Sequence, residues 1–495
     1  MTTGRGSGSG VSASMIGKVL ARAALAPEPA SRSEISKGTM LKNPDDLAAG
    51  AVGKAVDALL EYGLLREETR VGSGRPGPPR MPLRVGSPRW IMAGIHLDQQ
   101  HEGPDRLTGI LCGLDRQPIG SPVSLEILRE DGKHSLRGLV QGARMLIEEL
   151  LERAAELAGH DPKQELLGVG VELGGHLFRG RLIDSTHAQW SQSVDLSAAL
   201  TEQFSEAPEL KDVPIIVEND INALAIHGYY EGTLTGSNAA LIVVLRKGVG
   251  GALILNGRNY HGVHGMAPEP GHVAVEYPAI SDRDRPPMRA GAGKGPAFDD
   301  ECACSTKDHM MYGHVDTLAT PSRLEGQLAN LKPDERSISL EQAAATRRAL
   351  RVEDQLVISE EAKVLHRAGR ALGRVLAHIV NIVNPGQLVL LLPEALATPA
   401  PQSSGSEYLE AAERELDGAY STGPADARGG GIRLTVHGYA EETLACDGAV
   451  AAATTAFNAF IEHARELDGC PLSVDTSRTR RLPRPLSSSV PRDSR

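Results

Sequence analysis

The sequence predicts an α/β protein with a small N-terminal winged helix-turn-helix in front of a much larger body. Three short helical patterns and a hairpin pattern occupy residues 14–88. From residue 89 onward, short apolar runs alternate with long helical patterns, which is the order typical of α/β folds. The length of 495 residues is sufficient for two or three domains.

The N-terminal segment follows a Gly/Ser-rich leader, residues 1–13, for which we expect flexibility. The pattern "MIGKVLARAALA" predicts the first helix. Ser31 precedes Glu34 by three residues, which is a capping pattern that predicts the start of the second helix. An apolar face at helical spacing predicts the third helix, and Gly63 ends it. The stretch "LLREETRVGSGRPGPPRMPLRV" alternates like a strand on both sides of a Gly/Pro break, which predicts a hairpin.

This order of elements is typical of a winged helix-turn-helix, in which the third helix lies in the major groove of DNA. A helical adaptor gives the same pattern, so pattern alone leaves both interpretations open. Residues 1–90 hold thirteen Lys and Arg against eight Asp and Glu, whereas the whole chain has a net charge of -11. A basic segment on an acidic body favours an anionic partner for that segment.

The body, residues 89–470, contains the patterns of several strands and helices. The runs "RWIMAGIHLD", "LLGVGVEL", "VPIIVEND", "AALIVVL" and "GALILNG" predict strands, and "HRAGRALGRVLAHIVNIV" and "GAVAAATTAFNAFIEHA" predict long helices. No apolar run approaches the twenty residues or so that cross a bilayer. The five cysteines form no disulfide framework and the N-terminus has no signal core, so we expect a cytoplasmic protein. Residues 471–495 are polar and basic, which predicts a disordered tail.

Three motifs of the body stand in a specific order: "VENDINALAIHGYYEG", "GVGGALILNGRNYHGVHGMAPEPGH" and "CACSTKDH". Their order and spacing resemble the ROK family, whose name joins repressors, open reading frames and sugar kinases. Upstream, "SEIS", "AVGKAVDALLEYGLLREE" and "GRPGPPRMPLRV" resemble the winged-helix half of the family's repressors. The resemblance spans residues 14–460. It implies a two-lobed body of the actin and hexokinase type (ASKHA, RNase H-like), with a sugar in the cleft, and a homodimer or homotetramer.

The resemblance implies a structural zinc site. Family members follow the Gly-His step with a Cys-x-Cys and a third cysteine five residues beyond the second. The matching positions here are His272, Cys302, Cys304 and His309, with a histidine at the place of the third cysteine. Two thiolates and two imidazoles suit tetrahedral Zn²⁺. Core cysteines beside exposed histidines are the alternative interpretation.

The resemblance also implies sugar contacts. The matching positions are Asn219, Asp220, Glu269 and His272, and Asp220 stands where the sugar kinases have their base. Carboxylate and amide oxygens suit sugars because they accept hydrogen bonds from hydroxyl groups. Two further residues that contact the sugar in the family are absent here. The position of one holds Met311, and the position of the other falls among Thr186 and His187. Two interpretations therefore stay open: the cleft senses a sugar or sugar derivative, or it has lost its ligand.

The segments that hold ATP phosphates in the family differ in this sequence. The family's Asp-x-Gly-Gly-Thr falls on "GIHLDQQHEG", which places His96 at the aspartate and Asp98 and Gln99 at the glycines. The family's Gly-Thr-Gly-x-Gly becomes "RKGVG", and a later Gly-Gly is replaced within "LVLLLPEAL". Backbone amides approach phosphates closely only where the side chains are small. We therefore expect no phosphoryl transfer, and an active sugar kinase is the first alternative.

DNA contacts follow from the same resemblance. In the family's repressors the third helix reads bases and a Gly-Arg-Pro tripeptide of the hairpin enters a minor groove. Arg75 is the arginine of that tripeptide, and arginine suits the negative potential of a narrow groove. The third helix offers Lys54, with Lys42 and Asn43 before it. We expect a sugar-responsive transcriptional regulator, in particular a repressor, with a non-enzymatic interaction protein as the second alternative.

Overall fold

The computed structural model describes most of the chain between residues 11 and 466. The described residues are 11–26, 28–38, 46–68, 81–86, 89–98, 104–129, 134–158, 165–178, 180–184, 193–234, 238–275, 313–331, 338–352, 355–420 and 432–466. The predicted tail and nearly all of the predicted leader lie outside them. The chain divides into two compact units: the first comprises Met1–Gly236 with Ala445–Arg495, and the second comprises Ser237–Leu444.

The N-terminal segment, residues 14–88, is called the head below. It contains the three predicted helices and the two hairpin strands, so the prediction of these elements is confirmed. They are α1 (Ala13–Ala24), α2 (Arg32–Lys37), α3 (Ala49–Glu61), β1 (Leu65–Glu67) and β2 (Leu83–Val85). The strands pair antiparallel, with Leu65 opposite Val85. The predicted capping box is also present, because Ser31 N donates to Glu34 Oε2 at 2.7 Å while Glu34 N donates to Ser31 Oγ at 3.3 Å.

The first unit is built on a five-stranded sheet. Across the sheet the strands are β10 (Ile215–Asn219), β6 (Leu166–Leu173), β3 (Ile91–Asp98), β4 (Asp105–Gly113) and β5 (Pro118–Ile127). The three strands β10, β6 and β3 are parallel, and β4 and β5 continue the sheet antiparallel. The other elements of this unit are α4 (Leu136–Ala158), β7 (His176–Phe178), β8 (Arg181–Asp184), β9 (Val194–Asp195), α5 (Leu196–Ser205) and α6 (Asp220–Tyr230). Helix α13 (Glu441–Glu466) returns to this unit at the end of the chain.

One apolar cluster joins the head to the rest of the first unit. Its buried members include Val56 and Leu59 of α3, Met92 of β3 and Phe457 of α13. In addition, Trp90 Nε1 donates a hydrogen bond to the carbonyl oxygen of Tyr62 at 2.6 Å. The head therefore shares its core with the body of the first unit.

The second unit contains its own five-stranded sheet. Across it lie β13 (Arg258–Asn259), β12 (Val249–Leu255), β11 (Ala239–Leu245), β16 (Gln387–Pro393) and β17 (Arg433–Tyr439). The remaining elements are α7 (Asp316–Ala319), α8 (Pro321–Ala329), α9 (Leu340–Ala345), β14 (Ala349–Val352), β15 (Gln355–Ile358), α10 (Glu360–Val383), α11 (Glu394–Ala397) and α12 (Ser406–Tyr420). Helices α10 and α12 cross closely, because Gly369 of α10 lies against the backbone of Tyr408 in α12.

Helix α13 is long and apolar. Its stretch Thr443–His463 has a length and a mean hydropathy, 1.4, that would suit a membrane span, but 67% of the stretch is buried inside the folded protein. Its backbone lies directly on the first sheet: a Cβ at Gly94 of β3 would overlap the carbonyl oxygen of Ala449, and a Cβ at Gly170 of β6 would overlap that of Ala452. This packing is that of a core helix.

The close approach of α13 to the sheet gives the first prediction. Gly94→Ala should lower the free energy of unfolding by about 1–3 kcal/mol or more, because the added methyl group forces α13 away from the sheet. Gly53→Ala is the matched control, since a Cβ at Gly53 of α3 meets no atom within 4 Å. That variant should be as stable as the parent or gain up to about 1 kcal/mol of helix propensity. Urea unfolding of both variants measures the difference, and equal midpoints would contradict the contact.

Candidate functional site

Asn219 and Asp220 lie where strand β10 ends and helix α6 begins. Asn219 is the N-cap of α6, and its Oδ1 accepts hydrogen bonds from Ile221 N at 3.0 Å and Asn222 N at 3.1 Å. Its Nδ2 donates to the carbonyl oxygen of Gly175 at 3.0 Å. Both ends of the amide are therefore held by the backbone of the first unit, and the cap fixes the direction in which α6 leaves the sheet.

Asp220 is the first residue of α6. Its Oδ1 accepts a hydrogen bond from its neighbour Ile221 N at 3.0 Å, and its side chain is half-buried. A carboxylate at this end of a helix is stabilised by the helix dipole. Glu218 lies on the other side of Asn219 and accepts hydrogen bonds from Asn219 N and from Asn222 Nδ2. The strand end thus presents a carboxylate and an amide next to each other, and their role as sugar contacts stays a prediction.

Glu269 and His272 belong to the second unit and flank a short 3₁₀ turn, Pro270–His272. His272 Nε2 lies 3.9 Å from Glu269 Oε2, and His272 Nδ1 lies 4.0 Å from Oδ2 of Asp316. A Cβ at Gly271 would overlap Asp316 Oδ1, so the glycine of the "EPGH" motif is required for this approach. The imidazole is therefore placed between two carboxylates.

His314 and Asp316 were not predicted as site residues, yet both contact the turn. The rings of His272 and His314 meet edge to face with their centroids 5.6 Å apart. Burial lowers the pKa of His314, and the charge of His272 lowers it further. Burial raises the pKa of Asp316, while a 2.6 Å hydrogen bond from Val249 N and the charge of His272 act in the opposite direction. The signal in the sequence was "HVD", a histidine and an aspartate two residues apart shortly after the cysteine motif.

His96, at the family's aspartate position, is buried in β3 beside Glu172 of β6. Its Nδ1 lies 2.7 Å from Glu172 Oε1, and the two residues are register partners on neighbouring strands. Both side chains are at most 3% exposed. A Cβ at Gly448 of α13 would overlap Glu172 Oε1, so the glycine makes room for the pair. Sequence reasoning found His96 but missed Glu172.

The "RKGVG" segment forms the tight turn between β11 and β12. Arg246 N donates to the carbonyl oxygen of Gly248 at 2.8 Å, which closes the turn. Lys247 is exposed at its tip, and Val249 starts β12. The turn is linked to the titratable residues described above, because Asp316 accepts the hydrogen bond from Val249 N.

Several predicted residues lie outside the described residues. They are the DNA contacts Lys42, Asn43 and Arg75, the zinc ligands Cys302, Cys304 and His309, and Gln99, Thr186, His187 and Met311. Of the predicted DNA contacts, Lys54 is described: it is exposed on α3, opposite the face that buries Val52 and Val56. Of the four predicted zinc ligands, His272 is the one that lies within the described residues.

Residues 124–391 match the sequence model of the ROK family. The chain is 21% identical over 261 residues to the xylose repressor of Bacillus subtilis, which covers 52% of this chain and 60% of that protein. It is 24% identical over 229 residues to the DNA-binding transcriptional dual regulator NagC of Escherichia coli. This alignment covers 46% of this chain and 48% of NagC. A glucokinase of Halalkalibacterium halodurans is 32% identical over 118 residues, which cover 23% of this chain and 33% of the glucokinase. These alignments therefore span a third to three-fifths of the relatives' lengths.

Solved structures share the fold. The crystal structure of a ROK family transcriptional regulator, a homologue of the Escherichia coli MLC protein, superposes with a TM-score of 0.58 at 18% identity, covering 92% of this chain and 100% of that one. The ROK hexokinase of Thermus thermophilus gives a TM-score of 0.50 at 21% identity, covering 75% and 99%. These similarities confirm the predicted α/β fold of the actin and hexokinase type.

The cap at Asn219 gives the second prediction. Asn219→Ala should lower the free energy of unfolding by about 0.5–2 kcal/mol, because Asn222 N loses its acceptor and Ile221 N loses one of its two acceptors. Asn219→Ser is the control, since serine is an equally good N-cap but lacks the amide that reaches Gly175. Thermal unfolding of the two variants separates the cap from the amide contact. A serine variant as unstable as the alanine variant would contradict the capping role.

Proposed function

The chain belongs to the ROK family, and we propose that it is a DNA-binding transcriptional regulator, in particular a repressor, whose body binds a sugar or sugar derivative. The observation that carries the proposal is the head: three helices and an antiparallel strand pair precede the body and share its core. This is the element order of a winged helix-turn-helix. Sugar kinases require no such head for phosphoryl transfer.

The comparisons support a regulator over an enzyme. Relatives named as a xylose repressor and as the regulator NagC align over about half of the chain. The structure of a ROK transcriptional regulator covers 92% of the chain, whereas that of a ROK hexokinase covers 75%. The part of the chain that the regulator structure covers and the hexokinase structure does not is about as long as the head. As a homodimer or homotetramer, the protein would present two heads to two half-sites of an operator.

The proposed DNA contacts lie on two parts of the head. Lys54 on the exposed face of α3, with Lys42 and Asn43 before the helix, would meet the major groove. Arg75, between β1 and β2 in the sequence, would enter the minor groove. The buried face of α3 is occupied by the core shared with the body, so the opposite face is the one available to a duplex.

The proposed effector contacts are Asn219 and Asp220 in the first unit and Glu269 and His272 in the second. Local contacts hold the carboxylates of Asp220 and Glu269, whose oxygens are able to accept from a polyol. Asn219 Oδ1 already accepts two backbone hydrogen bonds, so Asn219 fixes the position of Asp220 beside it.

We propose that the body binds the sugar through these residues without phosphorylating it. The "RKGVG" turn and the buried pair of His96 and Glu172 support this. Arg246 and Lys247 bring two long side chains into the turn, and a paired imidazole occupies the other position, whereas backbone amides approach phosphates closely only where side chains are small. The similarity to a glucokinase makes an active sugar kinase the second candidate.

We further propose that His272, Cys302, Cys304 and His309 hold a structural Zn²⁺. Two thiolates and two imidazoles form a closed tetrahedral set, and thiolates favour zinc over harder cations. His272 supports the proposal by its position, since the 3₁₀ turn and Gly271 fix its backbone beside Asp316. A carboxylate near a metal-bound imidazole orients the ring. The zinc would tie the segment that contains the two cysteines to the turn that carries Glu269.

Binding to DNA is the third prediction. The purified full-length chain should bind a duplex from the region upstream of its own coding sequence, with an affinity that falls steeply as salt rises. Arg75→Ala should weaken binding about 5- to 100-fold, as expected when one arginine leaves a groove. Arg106→Ala is the control, because this exposed arginine lies on β4 in the body rather than in the head. Fluorescence anisotropy at two salt concentrations measures both effects.

Two results would contradict the proposed function. If neither the upstream duplex nor any fragment selected from genomic DNA is bound, the chain is not a DNA-binding regulator. If the protein phosphorylates a hexose with ATP, and Asp220→Asn abolishes the turnover, the body is a kinase and the second candidate replaces the first.

Zinc content is the fourth prediction. The purified protein should contain one zinc ion per chain by mass spectrometry of metals, and Cys302→Ser or Cys304→Ser should lose it, since serine does not replace a thiolate ligand. Cys470→Ser is the matched control and should keep the full content, because Cys470 lies outside the proposed set. Parent protein without stoichiometric zinc would refute the site.

A further inference from the structure

Helix α6 connects two places in the first unit. It begins at Asn219 and Asp220, the proposed effector contacts, and it ends at Tyr230 and Glu231. Its 11 residues span about 16 Å at roughly 1.5 Å of rise per residue. A displacement of its first turn is carried to its last turn, because a helix of this length moves as a rigid element.

The last turn of α6 is fastened to two other elements of the body. Arg116, in the turn between β4 and β5, donates from Nε to Glu231 Oε1 at 3.0 Å, and its guanidinium lies 5.5 Å from the centroid of the Tyr230 ring. Tyr230 OH donates to Asn458 Oδ1 of α13 at 3.0 Å. The Arg116 side chain is only 12% exposed and its backbone has a positive φ of 65°. The turn therefore holds the arginine in a fixed place against the end of α6.

The same end of α6 faces the head. A cavity of about 330 Å³ separates them, with Arg66, Glu68 and Arg84 on the head side and Arg116, Tyr230 and Glu231 on the body side. Next to this cavity the contact is apolar, since Ile226 and Tyr230 of α6 belong to the cluster that includes the head's core residues. The end of α6 is thus partly packed against the head and partly separated from it by a polar gap.

Each wall of the cavity carries its own ion pair. In the head, Arg84 Nε lies 2.8 Å from Glu68 Oε1, and in the body Arg116 pairs with Glu231. Both walls therefore present a cation and an anion to the same gap, and Asp115 adds a further carboxylate on the body side. An exchange of partners across the gap would give the interface a second arrangement. Two discrete arrangements of side chains at one interface are what a conformational switch requires.

We propose that α6 couples the effector site to the head, and that Arg116 is the positioning residue that sets this coupling. The inference rests on the proposed function, since it assigns the route by which the effector controls the head. A ligand held by Asn219 and Asp220 shifts α6, and the shift changes the ion pairs that hold the head. By thermodynamic reciprocity, DNA bound to the head changes the affinity for the effector by the same factor as the effector changes the affinity for DNA. If α6 carries this coupling, bound DNA also changes the stability of its first turns.

The test uses DNA as the probe, because reciprocity removes the need to know the effector. Hydrogen-deuterium exchange is measured on the full-length chain with and without the bound upstream or genome-selected duplex. In the parent protein the duplex should change the exchange rates of amides in Ala223–Ala225 by about 5-fold or more, the lower end of ordinary coupling. Arg116→Ala and Glu231→Ala should each reduce that change to less than about 2-fold, and a melting curve of each variant shows that it is folded.

The matched control is the ion pair of Arg144 and Glu206, joined at 2.7 Å in the same unit but part of neither α6 nor the cavity. Arg144→Ala should keep the parent response. A parent protein that binds the duplex without any change in α6, or variants of Arg116 and Glu231 that respond like the parent, would overturn the coupling and leave the regulator intact. A parent protein that binds no duplex would overturn the proposed function and the coupling together.

Discussion

The first unit depends on one close approach, that of helix α13 to the middle of its sheet. Gly94 and Gly170 are register partners on β3 and β6, and the backbone of α13 fills the space that a Cβ would need at either position. Because α13 is the last helix among the described residues, the core of the first unit closes only when residues more than 270 positions apart in sequence meet. The head packs on the same helix through Phe457. Removing α13 from the sheet would therefore open the core of the head as well as that of the body.

The close approach of α13 to the sheet also explains why two polar side chains pair in the interior. His96 and Glu172 lie on the two central strands beneath Gly448 of α13, where no larger residue would fit. Buried charges are costly unless they are paired, and removal of one partner leaves the other uncompensated. The pair therefore ties two strands to each other at the place where a kinase of this fold would begin its first phosphate loop.

Local patterns in the sequence were sufficient for the elements but not for the contacts between them. The capping box of Ser31 and Glu34 was predicted correctly because it involves residues three positions apart. The strand that ends at Asn219 followed from an apolar run, whereas Asn219 and Asp220 were singled out by the family resemblance. Glu172 was missed because its partner lies 76 residues away, and nothing in the alternating pattern of β6 marks it as charged and buried. His314 and Asp316 were missed for the same reason, since their role depends on a turn whose approach is set by Gly271.

The way in which the head is attached limits how a signal can reach it. A DNA-binding segment on a flexible linker would be indifferent to small movements of the body, because a linker absorbs them. Here the head shares an apolar core with α6 and α13, and close-packed cores do not deform continuously. A shift of α6 must therefore either be resisted by the core or be passed to the head. The polar gap of about 330 Å³ lies beside that core and is lined by ion pairs of both the head and the body. The coupling proposed for α6 therefore acts on the head through a close-packed apolar contact and a polar contact that lie next to each other.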